Sequence, residues 1–316
     1  MKRIILHSDM NACYASIEAK LNPKLKGIPM AVAGNPENRH GIILAKSEEA
    51  KKMGVKTGEP IWQAKGKCPN LTLVPPHYEE YLKHSKMARS LYYEYTNQVE
   101  LFGLDECYLD VTGYLYLFGS GEEIAHEIRN RMKEELGLTV SIGVSFCKIF
   151  AKLGSDMKKP DAVTVITEDN FKQKVWPLGV REMVGIGRAT EKKLNKIGIF
   201  SLGDLAHAPV ETLKSLLGIN GVYLWQYANG LDIRPIVDRD HTESIKSIGN
   251  SSTCKRDLHS DEEVFNVMQE LSFSVSRRLR EAKLEARGVE VFVRNNELQS
   301  WNFAIPLEMA SQSSII

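Results

Sequence analysis

The chain has 316 residues, of which 43% are hydrophobic and 26% charged, a make-up that suits an ordinary globular protein and excludes a disordered, fibrous or membrane-embedded one. At this length one hydrophobic core is rarely enough, so several domains are expected. The 41 basic and 40 acidic side chains nearly cancel to a formal +1, which by itself neither requires nor forbids a nucleic-acid partner.

Only MKRIILHS precedes Asp9, too short for a signal peptide, and no apolar run is long enough to cross a bilayer. Cys13, Cys68, Cys107, Cys147 and Cys254 are scattered and never spaced CxxC, which speaks against a disulfide framework or a structural zinc site. A cytoplasmic location with reduced thiols is expected. Ile4, Ile5 and Leu6 form a compact apolar run ending in HSDMN, which reads as a buried strand that delivers Asp9 to a sheet edge, followed by a helix near Ala12 to Ala19. From Gly27 to Pro75, strand-like pieces alternate with the helical SEEAKKMG in what reads as a small inserted subdomain. Tyr78 to Tyr95 reads as one helix, and QVELFGLDECYLDVT as two short strands meeting around Asp105.

Ser120 and Glu123 match the capping box S-x-x-E, and Ile124, Ile128, Met132 and Leu136 recur on one helix face until Gly137. TVSIGVSF supplies another apolar strand, so the core is α/β (α+β) with a mixed sheet. From about Trp176 to Asp232 short helices are broken by glycine, as in VGIGRATEKKL and LLGINGVYLW. IRPIVDRDHTESIK has the look of a linker. SIGNSST then reads as a strand, and Ser260 with Glu263 as a second capping box. A helix follows with Val264, Met268, Leu271, Val275 and Leu279 on one face, and then a hairpin around Asn295 and Asn296. The last ten residues are expected to form no completed element.

Asp9 ends an apolar strand, and Asp105 with Glu106 interrupts the otherwise apolar LFGLDECYLDV, where uncompensated charge is costly. Three such carboxylates are the donor set that hard Mg²⁺ ions take. Two ions ~4 Å apart can clamp the attacking and leaving oxygens of an in-line phosphoryl transfer. Each acid alone reads more readily as a turn cap or a solvated side chain; the combination points to the chemistry. Asp110 reads as structural.

HSDMNACYASIE, GLDECYLDVTG and TVSIGVSFCKIFAKLGSDMKKP, in that order, resemble the Y-family (translesion) DNA polymerases, and most closely their bacterial DinB branch. The resemblance implies a palm at 1–10 and 78–167, inserted fingers at 11–77, a helix-hairpin-helix thumb at 168–232, a linker at 233–243 and an α/β little finger at 244–316. It implies template-directed, low-fidelity addition of deoxynucleotides to a primer 3′ end, with primer-template DNA and a dNTP as partners. Two Mg²⁺ ions, with Mn²⁺ as a substitute, would be held by Asp9, Asp105, Glu106 and the Met10 carbonyl. Tyr14 matches the aromatic steric gate that excludes a ribose 2′-hydroxyl, and Lys159 matches a triphosphate lysine, with Lys152 seven residues earlier on the same helix. Backbone N–H groups of Ala12 and Cys13 are expected to hold phosphates.

Departures from the family pattern cluster in SEEAKK, where a tyrosine and an arginine are common and this chain has Glu48 and Lys51. Ser47 and Lys51 are therefore expected to hold the triphosphate, Lys51 without bidentate geometry. Gly103 takes a usual serine position, Asn11 a common aspartate and Cys13 an aromatic, while Ile42 and Leu44 enlarge the roof over the nascent base pair. For DNA, the glycine turns at Gly185, Gly187, Gly218 and Gly221 would bring backbone N–H groups to phosphates, and Ser251, Thr253 and Arg294 would lie on strands along the duplex. Arg277, Arg278, Arg280 and Lys283 read first as helix C-terminal chemistry. The family's further helix and strand, and a sliding-clamp-binding tail, are not visible after Pro306, so the little finger reads as incomplete. A monomer is expected. The competing readings are a non-catalytic DNA-binding relative and a palm-type nucleotidyl cyclase, the latter having no use for phosphate-grasping hairpins.

Overall fold

The computed structural model describes residues 2–35, 37, 41–238 and 245–313. The chain opens with strand β1 (Ile5–Met10) and helix α1 (Cys13–Leu21). A three-stranded unit follows: β2 (Met30–Ala33), β3 (Ile43–Lys46), α2 (Glu48–Lys52), α3 (Ile61–Lys67) and β4 (Thr72–Val74), in sheet order β3-β2-β4. Its own small core gathers Ile43, Ala50, Val55, Ile61, Ala64 and Leu71.

Helix α4 (Tyr78–Tyr92) leads back to the main sheet, which holds β5 (Val99–Leu101) and β6 (Glu106–Asp110). After the short α5 (Leu115–Phe118) come α6 (Gly121–Leu136), β7 (Val140–Ser145), α7 (Lys148–Met157) and β8 (Val163–Ile166). The capping box forms as read, with Ser120 and Glu123 bonding reciprocally, and Gly137 closes α6 at φ 64°. The sheet order is β5-β6-β1-β7-β8, antiparallel except for the β7–β8 pair.

Strand alternation assigns the two faces of this sheet. Leu6, Cys107 and Leu109 face the main core against α4 and α6. Ile5, His7 and Asp9 turn the other way, in register with Asp110, Tyr108 and Glu106, toward α7. Two glycines let α7 lie close to the sheet: a Cβ at Gly143 would sit 1.9 Å from the Ala151 carbonyl oxygen, and one at Gly154 3.1 Å from the Gly143 Cα. This approach carries the lysines of α7 to the acids of β1 and β6.

Helices α8 (Phe171–Val175), α9 (Arg188–Asn195), α10 (Leu202–His207), α11 (Val210–Leu217) and α12 (Ile219–Ala228) build a helical unit whose core also takes Cys147, Phe150 and Leu153 from the α7 region. The stretch expected to be a linker is, in its first part, docked. Ile236 is buried with Ile5, Tyr108 and Ala151, the Asp232 carboxylate accepts from the Ile149 N–H, and the Val237 N–H donates to Glu100. Residues 239–243 of that expectation lie outside the described residues.

The last unit comprises α13 (Asp261–Glu281), β9 (Ala286–Arg294) and β10 (Ser300–Ser311), the two strands forming the expected hairpin. It has little interior: Leu279 is buried, but Phe265, Phe292, Trp301 and Phe303 are exposed. Three sequence expectations change here. Residues 247–253 form no strand, because a strand needs a ladder partner and this segment instead meets α13 side chains, Arg278 to the Gly249 carbonyl at 2.7 Å and Asn250 to Ser274 at 3.1 Å. The second capping box is half formed, since the Ser260 hydroxyl accepts from the Glu263 N–H while the Glu263 carboxylate accepts from the His259 N–H. Residues 307–311, expected to form nothing, continue β10 after a register shift that pairs Ser311 with Ala286.

Candidate active site

Asp9 and Glu106 stand opposite each other across the β1–β6 ladder, and the Met10 N–H donates to the Asp105 carbonyl at 3.0 Å, which fixes the Asp-Glu turn against the end of β1. Burial drives the Asp9 carboxyl up to about 6, helped by the neighbouring Glu106 and opposed by Lys159 and Lys152. Burial also pushes Glu106 upward, but His7, Asp9 and Lys152 outweigh it and hold its carboxyl well below the ordinary range. Asp105 is raised by burial and by the charge of Glu106. Such a crowd of carboxylates calls for positive charge.

That charge comes from α7 and the turn after it. Lys152, nearly inaccessible, places its ammonium 2.9 Å from Glu106, 3.3 Å from Asp9 and 3.0 Å from Asp156. Lys159 reaches Asp9 at 2.7 Å and Asp156 at 2.9 Å. Both ammonium groups are held above the usual lysine pKa by these acids, against the opposing effect of burial. Among the described residues no three acidic, imidazole or thiol groups converge as a metal-holding cluster; Asp9 and Glu106 lie in direct contact, with Lys152 bridging both. Asn11 secures the turn that carries Lys159. Its amide donates to Ser141 at 3.0 Å, and its carbonyl oxygen accepts from the Asp161 N–H at 2.9 Å.

A cleft of about 450 Å³ opens over these acids, lined by Asp9, Met10, Asn11, Ala12, Cys13, Tyr14, Asp105, Glu106 and Lys159 on one side and by Leu44, Ala45, Lys46, Glu48, Lys51 and Thr57 on the other. Ala12 adopts φ 45° ahead of α1 with no side-chain cap, so the first N–H groups of that helix lack intrahelical partners at the cleft floor. The half-buried Tyr14 ring stacks on Tyr81 at 4.1 Å and 10°. The Tyr81 hydroxyl donates in turn to the buried Glu18, which His77 meets at 2.9 Å.

Ser47 does not join this lining. Its hydroxyl donates to the Ile28 carbonyl and accepts from the Met30 and Ala50 N–H groups, as the cap of α2. Gly221 is likewise structural: a Cβ there would lie 2.2 Å from the Leu213 carbonyl oxygen, so the glycine is needed to pack α12 on α11. Gly185 at φ 94° and Gly218 at φ 66° form open turns, and a Cβ at Gly187 would meet nothing within 4 Å. Ser251 and Thr253 are exposed but lie on no strand; Arg294 ends β9 and donates to the Leu298 carbonyl at 3.3 Å. Arg277 pairs with Glu281 at 2.8 Å, and Arg280 bonds Ser276, in line with the internal reading of those arginines.

Sequence reasoning did not single out His7, Lys46, Thr57, Tyr81 or Asp156. Helical spacing from Lys152 could have found Asp156, and strand alternation from Leu44 could have found Lys46. Among the described residues, no helix is long and apolar enough to cross a membrane.

Residues 8–156 match the impB/mucB/samB family, 168–199 the helix-hairpin-helix (HHH) motif of that family, and 245–316 its C-terminal domain. The chain is 53% identical over 300 residues to DNA polymerase IV of Acetivibrio thermocellus, covering 95% of this chain and 75% of that protein. It is 43% identical over 292 residues to DNA polymerase IV 1 of Bacillus subtilis, covering 92% and 70%. A solved Y-family DNA polymerase chimera superposes with a TM-score of 0.87 at 25% identity, covering 97% of this chain and 88% of that one.

Proposed function

This chain belongs to the impB/mucB/samB family of Y-family DNA polymerases, and we propose that it extends a primer 3′ end on damaged or undamaged template, with Asp9, Asp105, Glu106 and the Met10 carbonyl holding two Mg²⁺ ions. The observation that carries this reading is the convergence of Asp9, Asp105, Glu106, Tyr14 and Lys159 on one open cleft. The donor set suits the ions, being all oxygen and so crowded that burial and mutual repulsion raise two of its acids. When bound, the ions supply acidification of the primer hydroxyl and neutralise charge on the departing pyrophosphate.

The chain's own residues do the rest. Tyr14, backed by the Tyr81 ring at the cleft, serves as the steric gate against a ribose 2′-hydroxyl, a role supported by its stack and its place in the lining. Lys51 and Lys159 bracket the triphosphate from opposite walls, and the N–H groups of Ala12 and Cys13 receive its oxygens at the helix start. In this reading the five-stranded sheet at 1–10 and 78–167 is the palm, 11–77 the fingers, 168–232 the thumb and 244–316 the little finger. The open turns at Gly185, Gly187 and Gly218 offer backbone N–H groups to duplex phosphates without reading sequence. The protein works as a cytoplasmic monomer on primer-template DNA.

Primer extension with Mg²⁺ and all four dNTPs tests the reading, with the wild type beside an Asp9→Ala, Glu106→Ala double variant. Short distributive products from the wild type alone support it. DNA binding without extension by the wild type would put a non-catalytic DNA-binding role in its place.

A further inference from the structure

Three ammonium groups edge the cleft, and they are not equally matched by acids. Lys159 is met by Asp9 and Asp156, and Lys51 by Glu48 at 3.3 Å. Lys46 forms no ion pair among the described residues; its half-buried ammonium donates to the Thr57 hydroxyl at 3.1 Å, and both side chains line the cleft. Burial, and then the charge of Lys51, press the Lys46 pKa below the usual lysine value. Glu48 and Glu59 oppose this from a distance, so Lys46 is a cation held at the wall without a direct carboxylate contact among the described residues.

The strand supplies a direction. Ile43 is buried, and a register shift against β2 between Val32 and Ala33 interrupts the simple alternation, so that Leu44, Ala45 and Lys46 all line the cleft. This wall of the cleft runs from apolar Leu44 and Ala45 to the Lys46 cation, the order in which a nucleotide presents a flat base and then its phosphates. Glu48, which can only accept, spends itself on Lys51. Ser47 is consumed by its cap and strand contacts.

We propose that Lys46, seated by Thr57, is a triphosphate-binding residue for the incoming nucleotide, acting with Lys51 from the wall opposite Lys159 and filling the role that Ser47 cannot. This inference rests on the polymerase reading of the same cleft. A charge-assisted contact of this kind predicts that Lys46→Met raises the KM for a dNTP in single-nucleotide incorporation by about 10- to 100-fold, with kcat falling much less. Lys46→Arg should recover most of the loss, and Thr57→Val should raise KM by about threefold to tenfold. Equilibrium binding of a non-hydrolysable α,β-imido dNTP to the protein–primer-template complex in Ca²⁺ should weaken in parallel in Lys46→Met, with the thermal midpoint retained.

If the wild type incorporates nucleotides and Lys46→Met shows a KM and an analogue affinity within twofold of it, the inference is overturned while the polymerase stands. A wild type that binds the analogue but does not incorporate fails the polymerase reading alone, and the Lys46→Met affinity still decides the inference. A wild type that binds no analogue overturns both.

Discussion

Lys152→Met removes one charge from the centre of the site while keeping most of the side chain's volume. Its ammonium lies within 3.3 Å of Asp9, Glu106 and Asp156, and the lysine side chain is 8% exposed, so solvent cannot replace it. Breaking a buried ion pair on one side costs ~3–5 kcal/mol, and the loss should depend on pH. The folded protein raises Asp9 from 3.8 to about 6, so it holds that proton more tightly than the unfolded chain does. The resulting stabilisation is present at acid pH and is lost as pH rises through about 6, worth about 3 kcal/mol. Glu106 is depressed and works in the opposite sense, its contribution present above the ordinary carboxylate range and lost in acid. Without Lys152 the Asp9 pKa climbs further and Glu106 loses its depression, each unit worth about 1.4 kcal/mol. Urea unfolding in EDTA should therefore show the Glu106 part of the deficit already near pH 5 and a larger deficit near pH 8, where the Asp9 part is added and excess Mg²⁺ recovers much of it. An equal deficit at both pH values, unmoved by Mg²⁺, would show that Lys152 only packs and that the carboxylates do not need its charge.

Tyr14→Ala should admit ribonucleotides, lowering dNTP-over-rNTP selectivity by at least about 10²-fold in single-turnover incorporation while DNA synthesis persists; unchanged selectivity would remove Tyr14 from the gate. Tyr81→Phe keeps the stack but leaves the buried Glu18 with His77 as its remaining side-chain partner, and should cost about 1–3 kcal/mol in urea unfolding with little effect on selectivity, whereas Tyr81→Leu should loosen both. Asn11→Ala should cost about 2–3 kcal/mol and raise the dNTP KM by freeing the turn that carries Lys159, read by unfolding and by steady-state incorporation. Gly218→Ala should weaken binding of a fluorescent duplex and flatten its salt dependence, while Gly221→Ala should lower thumb stability with no change in the salt slope.

The sequence was most legible where local rules suffice. The apolar run ahead of Asp9 is the central strand, and the S-x-x-E box and Gly137 bound α6, because caps and burial periodicity act within a few residues. What escaped was set at long range. The contact of Gly143 with Gly154 that lays α7 on the sheet cannot be told from two ordinary local glycines. Ser47 followed by two glutamates already spelled a helix cap, and that signal was passed over for a phosphate ligand. Gly218 and Gly221 look alike in sequence; only packing shows one turned to solvent and the other pressed on a carbonyl. Residues 247–253 have strand-like composition, but pairing is a property of two segments and not of one.

The docked segment from Asp232 to Asp238 also has a mechanical meaning. The helical unit is bolted to the catalytic sheet at both its ends: by the α7 core at its beginning, and at its exit by Asp232 on Ile149, Arg3 on the Arg234 carbonyl, Ile236 in the sheet and Asn97 on Asp238. A body mounted at two points resists rotation far better than one hanging from a single tether. On the polymerase reading, the angle at which this unit meets a duplex is therefore set by the sheet it is mounted on.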